Sequence, residues 1–218
     1  MGWAIPADAA TMSPAMAQGV TTVRVQPDST KFNQQAALPY ELRLADFELA
    51  MQDLYDLLFD INTAMVSRGL QRLEETVRPA IFSGILSDAL TASVARHSRV
   101  LTENRFHNGH PDLIPQGRYP NNAVKAGEHG VEVKATKGKG GVDTHGARNA
   151  WLCVFRWQLD ATTQPVVSRA PTRIVEIVLA ELTVADFRRN PRGELGTRTA
   201  SPNRAGLAKL RANWIYRD

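Results

Sequence analysis

A chain of 218 residues with 43% hydrophobic and 22% charged side chains, 15 Gly and 12 Pro has a globular composition, which excludes disorder throughout, collagen and fibrous repeats. Its one cysteine, Cys153, excludes an internal disulfide and a thiolate metal cluster; in the apolar run Ala150 to Trp157 a buried core thiol is expected. The formal charge is +4, spread unevenly: Tyr40 to Asp60 holds six acids against Arg43 alone, whereas Ala185 to Asp218 holds eight bases against Asp186, Glu194 and Asp218. That asymmetry suits a polyanion-facing end opposite an acidic face, or simply a solvated basic tail.

In chain order, residues 1–38 carry Pro6, Pro14, Pro27 and many small polar residues without a sustained period, which predicts an arm with one short strand at residues 21–25. No apolar stretch approaches a membrane span, and Met1 to Gly19 has no basic region ahead of an apolar core. No membrane partner and no signal peptide are therefore expected, and the cytoplasm is the expected location. Residues 39–78 read as a helical extension. Leu44, Phe47, Met51, Leu54, Leu58, Ile61 and Met65 recur at alternating three- and four-residue steps, predicting a long amphipathic helix that Gly69 ends or bends. Its seam suits either a dimerisation helix or a helix packed on its own domain.

Residues 79–218 form the expected core, with a basic C-terminal segment. A second helix is predicted from Pro79 through Ile81, Ile85, Leu86, Ala89, Leu90 and Val94 to about Arg99, with Asp88 at the edge of the apolar arc. After Asn108-Gly109 the pattern turns to β runs at 112–114, 130–136, 151–159 and 173–182, followed by short helices at 184–189 and 202–212. Helices, then strands, then strand and helix again indicate an α+β or α/β core around a mixed sheet.

The chemistry concentrates in His110-Pro111-Asp112-Leu113-Ile114 and Gly130-Val131-Glu132-Val133-Lys134-Ala135-Thr136. Side chains two apart on a strand share a face, so Glu132 and Lys134 project together while Val131, Val133 and Ala135 face the core. With Asp112 from a neighbouring strand, the site gains two carboxylates and one ammonium. Hard carboxylate oxygens suit Mg²⁺, which polarises a phosphoryl oxygen and lowers the pKa of a bound water, while the lysine positions that water or offsets developing charge.

Pro111-Asp112 followed by Glu132-Val133-Lys134 resembles the motif of the PD-(D/E)xK nucleases, the restriction-endonuclease-like superfamily, over about residues 79–185. The resemblance implies a core of helix, three strands, helix and strand. It implies Mg²⁺ held by Asp112, Glu132 and the Val133 main-chain carbonyl, with Asp112, Glu132 and Lys134 as catalytic residues. Members often add an acid from the preceding helix; Asp88 is the best positional match here, with Glu103 and Glu75 behind it. Most similar in kind is a type II restriction enzyme. That implies cleavage of double-stranded DNA by a homodimer, the long acidic helix as a candidate interface, and a companion DNA methyltransferase for the same site. The alternatives are a repair or recombination nuclease that reads DNA structure, and a non-catalytic DNA-binding protein on the same fold.

Around this motif, Lys137 and Lys139 in the glycine-rich loop have the composition for close approach to a phosphate backbone, or for a flexible hairpin tip. His145, Arg148, Arg188 and Arg189 are further expected nucleic-acid contacts, and His110 is expected to line the site beside Asp112. The five histidines lack a cysteine partner set and a His-Glu-x-x-His pair, so zinc is not expected. Trp151, Phe155 and Trp157 alternate along one strand, where core packing is expected ahead of base stacking.

Overall fold

In the computed structural model, which describes residues 22–138, 142–190 and 199–218, the three- and four-residue spacing forms α1 (Leu44–Val66). The Asp46 carboxylate accepts the Arg43 N–H (2.8 Å) to hold its first turn, and Gly69, at φ +75°, reverses the chain beyond its end. A four-residue turn, α2 (Leu73–Thr76), leads to α3 (Pro79–His97), where Pro79 sits in the first turn and gives up no needed N–H. Phe47, Ala50, Met51, Leu54 and Leu58 of α1 are buried in one core with Phe82, Leu86, Leu90 and Val94 of α3.

Most of the α1 seam is therefore packed within its own fold. Its acids are largely engaged as well: Asp56 pairs with Arg24, and Asp53 accepts from Ser93 Oγ, His97 Nε2 (2.9 Å) and Arg96 (3.1 Å). Leu49 and Leu57 are the large apolar residues that this helix leaves exposed. Residues 39–78 share the larger apolar cluster with residues of 79–218, and Val25 and Phe32 of the arm join it.

Among the described residues eight strands follow: β1 (Leu101–Glu103), β2 (Leu113–Pro115), β3 (Val131–Thr136), β4 (Ala150–Gln158), β5 (Arg173–Leu182), β6 (Phe187–Arg189), β7 (Ala200–Pro202) and β8 (Trp214–Arg217). Six form a sheet in the order β1-β2-β3-β4-β5-β8, and β6 pairs with β7 in a separate ribbon. Only β3 and β4 run parallel, so the fold is α+β with a mixed sheet. Period-two alternation divides the central strands between two covers. Val133, Cys153, Phe155, Trp157, Ile177 and Leu179 face α1 and α3, whereas Leu152, Val154, Val178, Ala180 and Leu182 pack with Leu210 of α4 (Arg204–Ala212). Core packing thus accounts for Phe155 and Trp157, and burial pushes the Cys153 thiol pKa up.

Several local expectations are corrected. Residues 22–28 form no strand, although Val25 is buried; residue 21 lies outside the described residues. Residues 184–189 are helical only in their first half: Asp186 accepts from Thr183 N–H (2.8 Å) and Lys209 (2.7 Å), closing a 3₁₀ turn at Val184–Asp186, after which Phe187–Arg189 extend against β7. Trp214–Tyr216 tie the C-terminal end to the sheet as part of strand β8, and Phe32 packs on Tyr216 at 4.9 Å between ring centroids. No helix separates β3 from β4 among the described residues of that connection, which departs from the core order that the motif implied. Among the described residues no helix is long and apolar enough to cross a membrane.

Two stability predictions follow from the α1–α3–sheet contact. Phe82 is fully buried with its ring edge-on to Trp157 at 5.0 Å. Phe82→Ala should cost about 3–5 kcal/mol in urea unfolding, whereas exposed Leu57→Ala should change stability by less than about 0.5 kcal/mol. Burial works to raise the Asp53 pKa, but the Ser93 and His97 hydrogen bonds outweigh it and hold the carboxyl below its usual range. Its stabilisation is complete above the unfolded value of about 3.9 and is lost as pH falls through the lower folded value. The stability gap between wild type and Asp53→Asn should therefore be widest near neutrality and close under acid.

Candidate active site

Strand β3 supplies the floor of the site. Val131, Val133 and Ala135 point into the core, which turns Glu132 and Lys134 together to the other side. The strand is held from behind by α3, where Ser87 Oγ accepts the Ala135 N–H (2.7 Å). Asp112 directly precedes β2, which pairs with β3 only at Leu113 and Val131. Gly130, at φ +137°, permits that approach, since a Cβ there would collide with the Leu113 carbonyl oxygen. The close approach delivers Asp112 Oδ2 to the Val133 N–H at 2.9 Å.

Three oxygens converge on the Lys134 ammonium. Glu132 Oε1 lies at 2.6 Å, Val133 O at 3.1 Å and Asp112 Oδ2 at 3.3 Å. The second Glu132 oxygen, Oε2, is 2.7 Å from His110 Nδ1. The loop that carries His110 is pinned by Asn104, whose amide donates to Pro111 O (2.9 Å) and Val124 O (2.8 Å) while its oxygen accepts from Val124 N (3.0 Å).

This crowding sets the protonation of the two acids apart. Burial raises the Asp112 pKa and the negative charge of Glu132 raises it further, beyond what Lys134 and the Val133 N–H recover. For Glu132, burial is outweighed by the His110 hydrogen bond and the Lys134 charge, and its carboxyl is lowered to about 2. Burial would lower Lys134, but the two carboxylates raise it, so it stays an ammonium. Asp112 is thus the acid that takes a proton first.

The site opens into a cleft of about 500 Å³ lined by Asp88, His110, Asp112, Glu132, Lys134, His145 and Arg148 among others. Asp88, His145 and Arg148 therefore reach the same cleft as the motif triad, Asp88 from α3 and the other two from the β3–β4 connection. Glu103 shares an adjoining cavity of about 270 Å³ with Asp88 and Asp112. Glu75 is taken up elsewhere, in ion pairs with Arg72 (3.0 Å) and Arg169 (3.1 Å). Lys137 is exposed, with its ammonium over the Trp157 ring, and Arg188 and Arg189 are exposed on β6; none of the three lines the cleft. Lys139 lies outside the described residues.

Sequence reasoning placed His110 near Asp112 but not on Glu132, and it missed Thr144. Thr144 bridges by backbone to Ala200 of β7 (N to O 2.8 Å) and so moors the loop bearing His145 and Arg148. The His-x-Asp spacing was the available signal for the first; a cross-connection between distant loops left none for the second.

Among the described residues no three His, Cys, Asp or Glu side chains converge as metal ligands. What converges is two carboxylates and one carbonyl around a cationic nitrogen, an all-oxygen set. It suits a hard divalent cation that keeps several of its own waters. No protein-family model, curated protein or solved structure matches this chain.

Carboxyl ¹³C titration by NMR tests the electrostatics. Glu132 should ionise near 2 and Asp112 above the usual aspartate range. In Lys134→Met, loss of the positive charge should raise the Glu132 midpoint; an unmoved midpoint would contradict the ammonium placement.

Proposed function

We propose that the chain is a Mg²⁺-dependent endonuclease that hydrolyses phosphodiester bonds of duplex DNA, in its most specific form a type II restriction enzyme. The observation that carries this reading is the convergence of Asp112 Oδ2, Glu132 Oε1 and Val133 O on one cationic point at the floor of an open polar cleft. With the Lys134 ammonium swung off the point it occupies between them, these three groups would hold the cation, which when bound would supply Lewis acidity to a phosphoryl oxygen and acidity to a water. The lowered Glu132 pKa keeps that ligand anionic.

Lys134 stays an ammonium and donates to a phosphoryl oxygen or to the attacking water, offsetting charge as it develops. His145 and Arg148 on the cleft wall bind the phosphate backbone, and exposed Arg188, Arg189 and Lys137 add contacts outside the cleft. Asp88 extends the acidic side of the floor. A purely binding role fits less well, because an acid pair at the centre of the cleft repels phosphate unless a cation intervenes. Cutting both strands of a duplex calls for two such sites, hence two copies of the chain, joined through a surface other than the buried seam of α1.

Supercoiled and linear phage DNA incubated with the protein should give discrete fragments in Mg²⁺ and none in EDTA. Lys134→Ala should lower the rate roughly 10²–10³-fold, the scale of losing one donor to developing charge, and Ca²⁺ should strengthen DNA binding without turnover. Absence of cleavage together with DNA affinity indifferent to Ca²⁺ would sink the proposal.

A further inference from the structure

Glu132 presents its two oxygens to two different partners, Oε1 to Lys134 and Oε2 to His110 Nδ1 at 2.7 Å. A carboxylate bound at one oxygen alone can still rotate about its last torsion; bound at both, its plane is fixed. The main chain that carries this imidazole is held at both of its polar groups. His110 N donates to Lys125 O (3.1 Å), His110 O accepts from Gly127 N (2.6 Å), and the ring is 15% exposed. Its other nitrogen, Nε2, is buried with no hydrogen-bond partner. One ring nitrogen is thus engaged by Glu132 and the other is buried away from a substrate in the cleft, so the effect of the ring on the chemistry passes through Glu132.

We infer that His110 is a positioning residue: its Nδ1–H locks the Glu132 carboxylate so that Oε1 stays turned toward the point shared with Asp112 Oδ2 and Val133 O, and thereby sets the affinity of that point for a divalent cation. The inference rests on the nuclease reading above, since it assigns a role within that site. Hydrogen bonds to a ligating carboxylate act in this way at metal centres generally, and their loss weakens binding without removing a ligand.

The test is calorimetric titration of the intact chain with Ca²⁺, alongside single-turnover cleavage in Mg²⁺. His110→Ala should weaken Ca²⁺ binding roughly 10- to 100-fold and lower kcat, with DNA affinity in EDTA unchanged. His110→Asn, whose amide N–H occupies the place of Nδ1–H, should recover most of the loss, which a mere packing defect would not allow. If His110→Ala does not fold, ¹⁵N spectra of the wild-type ring decide instead: a protonated Nδ1 whose shift moves in Glu132→Gln supports the inference, and an Nδ1 indifferent to that change overturns it. A folded His110→Ala that binds Ca²⁺ as tightly as a wild type that also cuts DNA overturns this inference alone. A wild type that binds no Ca²⁺ overturns both this inference and the nuclease reading.

Discussion

Two carboxylates withdrawn from water around one ammonium are costly, and their mutual attraction repays the desolvation only where every remaining lone pair is satisfied and the geometry is held from several sides. Much of the architecture serves that condition. The Ser87 hydroxyl fixes the height of β3 against α3, Gly130 lets β2 close on β3, and Asn104 stiffens the loop ahead of Asp112. The Val133 N–H then shares Asp112 Oδ2 with Lys134, and the His110 ring takes the Glu132 oxygen that Lys134 leaves. Each contact is modest alone, but the arrangement would relax if any wall moved.

The wall that cannot move is the sheet. Because β4 and β5 bury both faces, one against α1 and α3 and the other against α4, their side chains have no solvent-facing register to slip into. β3 is tied to β4 over six paired positions, so its register, and with it the side on which Glu132 and Lys134 emerge, is set by that buried strand. Placing α1 in the same core has a cost in sociability: the seam that could have joined two chains is used to stabilise one.

What was legible in the sequence was periodic. The α1 and α3 seams, the long strands at 150–158 and 173–182, and the shared face of Glu132 and Lys134 each repeat at the spacing of their element, so local pattern and tertiary demand agree. The errors fell where three or four residues decide the matter. At 184–189 the Thr183–Asp186 turn and pairing with β7 overrode a short helical pattern, and the edge strands β1 and β8 are too short to show a period. Within the site, the motif residues were visible because they sit on one strand and its neighbour. The His110–Glu132 bond and the Thr144–Ala200 bridge join segments 22 and 56 residues apart, and no local pattern encodes such pairs.

The connection between β3 and β4 shows how the fold meets a constraint without the expected helix. Parallel neighbours require a crossover of about a dozen residues or more, for which a helix is the usual solution because it satisfies its own backbone. Here the described part of the crossover is held by other means. Thr144 exchanges backbone hydrogen bonds with Ala200, and Asp143 accepts from Ser201 Oγ (2.6 Å) and Asn190 Nδ2 (2.9 Å). The β6–β7 ribbon thus acts as the scaffold that a helix would have been, and the loop it supports carries His145 and Arg148 over the acid pair. A helix would have buried one face of that segment against the sheet; a loop held at Asp143 and Thr144 leaves His145 and Arg148 to line the cleft. The same mooring connects exposed Arg188 and Arg189 mechanically to the wall of the site, so a ligand gripping the ribbon would bear directly on the segment that covers Asp112 and Glu132.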